Sequence, residues 1–235
     1  MFSAQQKKWF ITGTDTDAGK TVFATALLRA CLHNGYTTAA LKPIAAGGVS
    51  TDAGFFNQDA LLLQAAASQN NSYQQVNPYL FKQAIAPHIA AKNDNREILL
   101  DQCVECCSSV MDSDADVIVV EGAGGWLVPL NSQHNMADLA GALGCEIILV
   151  VGLKLGCINH ALLTVAAVER SGLRLAGWVA NHLSSDMPSY QENIAALQQR
   201  ITAPLIAEIP FVQPIDPESL IVYINLPLLF KDQVL

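Results

Sequence analysis

Residues 9–30 read WFITGTDTDAGKTVFATALLRA: a short apolar run, a glycine-framed polar loop, then a helix-forming segment. A common phosphate loop places four residues between its first glycine and Gly-Lys-Ser/Thr. Here Gly13 is followed by Thr14, Asp15, Thr16, Asp17 and Ala18 before Gly19, Lys20 and Thr21, so the loop is one residue longer. The context is the one such a loop requires, a buried strand before it and a helix after it. Unpaired N–H groups at the helix start, aided by the helix dipole, suit phosphate oxygens. The expected nucleotide-binding run is therefore Asp17, Ala18, Gly19, Lys20, Thr21 and Val22. Lys20 would reach the terminal phosphates and the Thr21 hydroxyl would coordinate Mg2+.

Outward from this loop, apolar runs alternate with amphipathic segments. WFIT, TAALK, DVIVVEG, EIILVVG, LAGWVAN and PLIAEIP are continuous runs of the sort a parallel sheet covered on both faces requires. Helix-like stretches fall near 20–34, 57–69, 97–112, 158–171 and 189–200. The expected fold is α/β: a doubly wound, mainly parallel sheet of about six to seven strands flanked by helices, P-loop NTPase-like. No linker or repeat interrupts residues 1–235, so one domain is expected. Residues 43–56 and 70–95 resist regular assignment, and loops of that length are usually functional, which places them near the site.

With 13 basic and 21 acidic residues the net charge is −8, which argues against a nucleic-acid partner or an anionic membrane surface. The amino end lacks a secretory pattern and EIILVVGL is too short to span a bilayer, so a cytoplasmic protein is expected. CVECC suggests metal, but no second cysteine pair or histidine pair stands at ligand spacing. Cys103, Cys107, Val110 and Met111 instead fall on one helical stripe, the pattern of a buried face.

Polar residues collect immediately after the strands. Lys42 follows the second, Glu121 with Gly122, Ala123 and Gly124 the third, Lys154 the fourth, Asn181 the fifth and Pro210 the sixth. The carboxyl ends of parallel strands share one edge, where open α/β sheets bind ligands. Of eight lysines, three stand on that edge. Singly, Lys42 also reads as a solvated strand end, Glu121 as part of a tight turn, Asn181 as a turn cap and Asp59 as a surface helix residue. Together they complement a nucleoside triphosphate with Mg2+ held by Thr21, Asp59 and Glu121, oxygen ligands of the type magnesium takes.

GTDTDAGKT, LKPIAAGG, QDALLL, VNPYLF with APH, VEGAGGWLVPL, VVGLKLGCINHALLT, AGWVAN and EIPF occur in this order over nearly the whole chain. Together they resemble the dethiobiotin synthetase family, whose own phosphate loop has the five-residue spacing. The resemblance implies that ATP, carbon dioxide (from bicarbonate) and 7,8-diaminopelargonic acid give dethiobiotin, ADP and phosphate. The family's route runs through a carbamate and a carbamic–phosphoric anhydride. It implies Lys42 on the carbamate, Lys20 and Lys154 on the phosphates, and Thr16 on the diamine or its carbamate. Ala46 stands where the family often has a hydroxyl residue, leaving backbone contact with substrate. Free N–H groups at Gly156, Cys157 and Asn159 would take the distant carboxylate of substrate bound largely to the other subunit, which implies a homodimer. Asn181 would read the adenine edge, with Pro210, Phe211, Val212 and Glu218 lining the nucleoside. His182 replaces a common aspartate, and Ala18 a larger aliphatic residue.

Three other readings fit parts of the pattern, of which a small-molecule kinase keeps the loop but explains GLKLGCINH less well. Amidation of a cobalamin precursor normally involves an added glutaminase domain, for which the residues after INLPLLF leave no room. A dimeric partition or assembly ATPase switch normally carries an early lysine in the loop, and positions 14–18 hold none.

Overall fold

The computed structural model describes residues 6–52 and 54–230; the first five residues, part of the amino end discussed above, Ala53 and the last five lie outside the described residues. In chain order the elements begin β1 (Lys7–Gly13), α1 (Lys20–His33), β2 (Thr38–Leu41) and β3 (Ile44–Ala46). A hairpin of β4 (Val49–Thr51) and β5 (Gly54–Phe56) leads to α2 (Gln58–Ala66), α3 (Tyr73–Val76), β6 (Tyr79–Phe81), α4 (Pro87–Asn93) and α5 (Leu100–Met111). Then come β7 (Val117–Gly125), α6 (Met136–Ala142), β8 (Glu146–Leu153) and α7 (Cys157–Arg170). Next are β9 (Leu175–His182), α8 (Tyr190–Gln198), β10 (Leu205–Ile209) and α9 (Pro217–Leu220), followed by two short 3-10 helices, Ile221–Tyr223 and Leu226–Leu229.

The six long apolar runs form one six-stranded sheet in the order β10-β9-β8-β1-β7-β2, with every pairing parallel. From β1 the chain first builds β2 and β7 on one side. It then crosses β1 to lay down β8, β9 and β10 on the other. The winding thus reverses at β1, and the crevice beyond its carboxyl end is the topological switch point where such sheets bind ligands.

Side chains alternate between the two faces along each strand. Trp9 and Ile11 of β1 pack with α1, α2 and the chain around α9, whereas Phe10 packs with α5 and α6 on the opposite face. On that second face, Leu149 and Val151 of β8 carry α7 and α8. In α5, Cys103, Cys107, Val110 and Met111 are buried as the stripe requires, and Cys106 is exposed. Among the described residues no helix is long and apolar enough to cross a membrane.

Residues 43–56 and 70–95 are more regular than their sequence suggests. β3 and β6 pair in parallel as a separate two-stranded unit, and β4 and β5 form an antiparallel hairpin. These elements are three residues long, too short for a periodic pattern to show. α6 was also unexpected. It is seven residues long and set by a capping box between Asn135 and Asp138, a signal independent of apolar periodicity.

Candidate active site

The phosphate loop is held from both sides of the switch point. The Thr14 N–H donates to Val150 O of β8 at 3.0 Å, extending the β1–β8 ladder into the loop. Asp17 and Gly19 have φ of 61° and 94°, the left-handed region in which a side chain is strained. At Gly19 a Cβ would also run into the Asn181 side-chain amide, so glycine is required there. Asn181 Nδ2 donates to Ala18 O at 3.0 Å, clamping the loop from the end of β9. Ala18 is fully buried, and a Cβ at Gly152 of β8 would stand 3.1 Å from its Cα. Two small residues therefore meet where loop and strand cross. Helix α1 starts at Gly19 with no side-chain cap, which leaves its first N–H groups free for an anion.

Around this loop the rim side chains converge. Glu121 to Gly124 do not follow their strand as expected but belong to it, because β7 runs on to Gly125; Glu121 stands midway along it, one residue past the end of the shorter β2 alongside. It is 1% exposed and accepts from Thr21 Oγ1 at 2.9 Å and from Lys42 Nζ at 2.5 Å, both on Oε1. Lys42 Nζ also donates to Gly122 O at 3.0 Å and lies 3.7 Å from Asp59 Oδ2. Glu121 Oε2 is buried and has no hydrogen-bond partner. An unpartnered carboxylate oxygen beside a threonine hydroxyl, with the half-buried Asp59 opposite, is an all-oxygen donor set that fits a divalent cation of the magnesium type.

Lys20 is folded back on its own loop, donating to Asp15 O at 3.0 Å. Burial and the neighbouring Lys42 cation push its pKa below the ordinary lysine value of 10.5, against the pull of Glu121, Asp15 and Asp59. Asp15 ties down a second lysine as well, because its carboxylate forms an ion pair with Lys154. Burial raises the Asp15 pKa, but the hydrogen bonds from Lys154 and Thr14 outweigh it and hold the group below the usual aspartate range.

One cavity of about 590 Å³ gathers much of the expected set. The loop contributes Thr16, Asp17, Gly19, Lys20, Thr21 and Val22; the rim contributes Lys42, Ala46, Asp59, Glu121, Ala123 and Gly124. Gly122 meets it through its bond to Lys42, and Ala18 lies buried beneath the loop. Both irregular stretches reach the cavity, with Ala45 from one and Ala84–Pro87 from the other, and Asn57 joins them from the cap of α2. These residues and Val128 were not singled out from sequence. Ala45, Ala86, Pro87 and Val128 nevertheless fall within the quoted motifs LKPIAAGG, APH and VEGAGGWLVPL.

Other expected residues lie outside this cavity lining: Lys154, Gly156, Cys157, Asn159, Asn181, Pro210, Phe211, Val212 and Glu218. One of the expectations needs correction. The Cys157 N–H is not free but donates to Lys154 O at 2.9 Å, because the turn entering α7 closes on itself with Gly156 at φ 93°. The Glu218 carboxylate is engaged on α1, 3.2 Å from Arg29 Nε and 2.9 Å from His33 Nε2. Arg29 and His33 stand four residues apart on one helix face toward its carboxyl end, away from the phosphate loop at its start.

A parallel sheet, a glycine-rich loop at its switch point and a lysine–carboxylate rim define the P-loop nucleotide-binding class, and the family model described as AAA domain matches residues 7–219. Solved structures similar in fold include septum site-determining protein MinD complexed with Mg-ADP from Pyrococcus horikoshii. Its TM-score is 0.56 at 16% identity, over 98% of this chain and 96% of that one. The signal recognition particle receptor FtsY from Elizabethkingia anophelis gives 0.55 at 14% identity, over 96% of this chain and 66% of that one. The sequence is more specific. The ATP-dependent dethiobiotin synthetase BioD of Cellvibrio japonicus is 53% identical over 87% of this chain and 90% of its own length. Those of Yersinia pestis (48%, over 89% and 87%) and Pseudomonas aeruginosa (44%, over 93% and 96%) follow the same pattern. The chain belongs to the ATP-dependent dethiobiotin synthetase family.

Proposed function

We propose that this chain, acting as a single domain in the cytoplasm, converts 7,8-diaminopelargonic acid, carbon dioxide and ATP to dethiobiotin, ADP and phosphate. One substrate amine adds to carbon dioxide and loses a proton, giving a carbamate. A carbamate oxygen attacks the γ-phosphorus, the bond to ADP breaks, and a carbamic–phosphoric anhydride results. The second amine attacks its carbonyl carbon, phosphate leaves with the C–O bond electrons, and loss of a proton closes the cyclic urea.

The observation that carries this reading is Lys42. It is a buried ammonium in the same cavity as the phosphate-loop lysine, a second fixed cation that nucleotide binding alone does not need. An anion attacking an anion needs cations that hold both, and positioned charge supplies most of the acceleration in phosphoryl transfer. In this reading Lys42 holds the carbamate, while Lys20 leaves Asp15 O for the phosphates and Lys154 approaches them from across the loop. Thr16 and the Ala46 backbone contact the diamine. Asn181 reads adenine beside Pro210, Phe211 and Val212. Thr21, Asp59 and Glu121 would hold Mg2+, which neutralises triphosphate charge when bound.

The distant carboxylate is assigned to the start of α7, at Gly156 and Asn159, of a second subunit in a homodimer. In support, α7 begins outside the chain's own cavity, and the adjoining Leu155 is 99% exposed, an apolar side chain left for a partner. The switch alternative is not favoured by relatives that carry the synthetase name at 44–53% identity.

The test is ADP release by the purified protein, omitting ATP, Mg2+, bicarbonate or diamine in turn, with product mass recorded. Release that requires bicarbonate and diamine and yields a cyclic urea is expected. Equal hydrolysis without diamine would overturn the substrate assignment.

A further inference from the structure

The VNPYLF motif has no part in the chemistry above, yet its asparagine is 3% exposed and fully bonded. Asn77 Nδ2 donates to Lys42 O at 2.6 Å and to Tyr79 O at 3.3 Å, and its Oδ1 accepts from the Tyr73 hydroxyl at 2.9 Å. The same hydroxyl accepts from the Asn57 N–H at 2.7 Å. Asn57 caps α2 by accepting from the Ala60 N–H at 3.2 Å, and Asp59 stands in that helix's first turn. Asp59 then faces Lys42 Nζ at 3.7 Å. The contacts close a ring that leaves Lys42 by its carbonyl and returns at its ammonium.

The ring meets both segments at an end, where regular structure stops or starts. β2 ends at Leu41 and Pro43 has no N–H, so Lys42 cannot be fixed by the sheet ladder. Its N–H donates instead to Val76 O at 2.8 Å, and its carbonyl takes the Asn77 amide. On the other side, α2 follows a hairpin whose first strand, Val49–Thr51, is exposed throughout. Burial raises the Tyr73 pKa, opposed by the Asn57 contact, so the hydroxyl keeps the proton it donates.

We infer that Asn77 and Tyr73 are positioning residues that set the spacing between Lys42 and Asp59, and so between the bound carbamate and the metal-side carboxylate. The inference rests on the function proposed above. Asparagine suits this position because its amide donates to two carbonyls while its oxygen accepts from the phenol; aspartate would lose the donor.

Tyr73→Phe removes one oxygen and keeps the ring that packs edge-on against Phe56. It should lower kcat about tenfold to a hundredfold, as outer-shell partners typically do. Calorimetry of ADP with and without Mg2+ should show a smaller magnesium-dependent gain in affinity. Asn77→Ala should lose at least as much; if it fails to fold, Tyr73→Phe decides. Gln75→Ala is the control, since it breaks the capping box of α3 without touching Lys42 or Asp59. Wild-type kcat and wild-type magnesium gain in Tyr73→Phe, or an equal loss in Gln75→Ala, would overturn the inference. A wild-type protein that releases no diamine-dependent ADP would sink the proposed function, while the calorimetric comparison would still report on Asp59.

Discussion

At the scale of single residues, the site is governed by what a buried carboxylate will tolerate. Glu121 has one oxygen bonded to Thr21 and Lys42 and the other bonded to nothing. Lys42→Ala leaves that carboxylate with a single hydroxyl donor, and breaking a buried pair costs about 3–5 kcal/mol. The variant should therefore lose turnover and also unfold at lower urea in the nucleotide-free state. Adding Glu121→Gln should restore stability without restoring turnover; a Lys42→Ala protein as stable as wild type would show that the pair is not buried as described. Lys20 gives a pH prediction. Burial and Lys42 hold its pKa below 10.5, so it loses its proton before an ordinary lysine does. ATP affinity should fall on an alkaline limb below pH 10.5, and Lys20→Arg should abolish that limb whatever its own affinity, because guanidinium does not titrate there. Stability of the empty protein should move the opposite way. Between the folded pKa and 10.5 the unfolded chain binds more protons, so stability rises with pH.

At the scale of elements, the helix face of α5 offers a direct check on periodicity. Cys103 and Cys107 face inward and Cys106 outward, while Cys31, Cys145 and Cys157 are buried elsewhere. Burial pushes the Cys31 and Cys145 thiols up to about 12, and that of Cys103, hydrogen-bonded with Cys107, upward as well. Only thiolates react quickly. A thiol reagent should label one cysteine rapidly in the folded protein, and Cys106→Ser should remove that phase; several fast thiols would refute the assigned face. The stripe was legible because twelve residues span enough turns to show a period. The six sheet strands were legible as unbroken apolar runs. α6 and the strands β3 to β6 were not, since capping and local pairing make them rather than hydrophobic rhythm. In the site, the phosphate loop and the rim lysines could be read from their places after strands. The pairing of Glu218 with Arg29 and His33 was not legible, because these partners are distant in sequence. Asn77 was hidden for the same reason, since it acts on a backbone carbonyl 35 residues away.

At the scale of the whole molecule, the sheet places Lys20, Lys42 and Glu121 around one cavity but leaves the start of α7 beyond that cavity. The proposed symmetric dimer, joining the two regions across its interface, would make each complete site from both chains. This arrangement has a consequence that a monomeric site lacks. Lys42→Ala disables the carbamate end of its own cavity, and Asn159→Asp sets a negative charge where the partner's substrate would place its carboxylate. Each variant alone should be nearly inactive. When the two are unfolded together and refolded as a mixture, half of the dimers are mixed, and each mixed dimer has one site with both defects and one with neither. Activity should then return to roughly a quarter of the wild-type value, the product of those two halves in an isologous dimer. If the mixture stays as inactive as its components while remaining dimeric by sedimentation, the carboxylate lies within one chain. In that case Gly156 and Asn159 have no role across the interface.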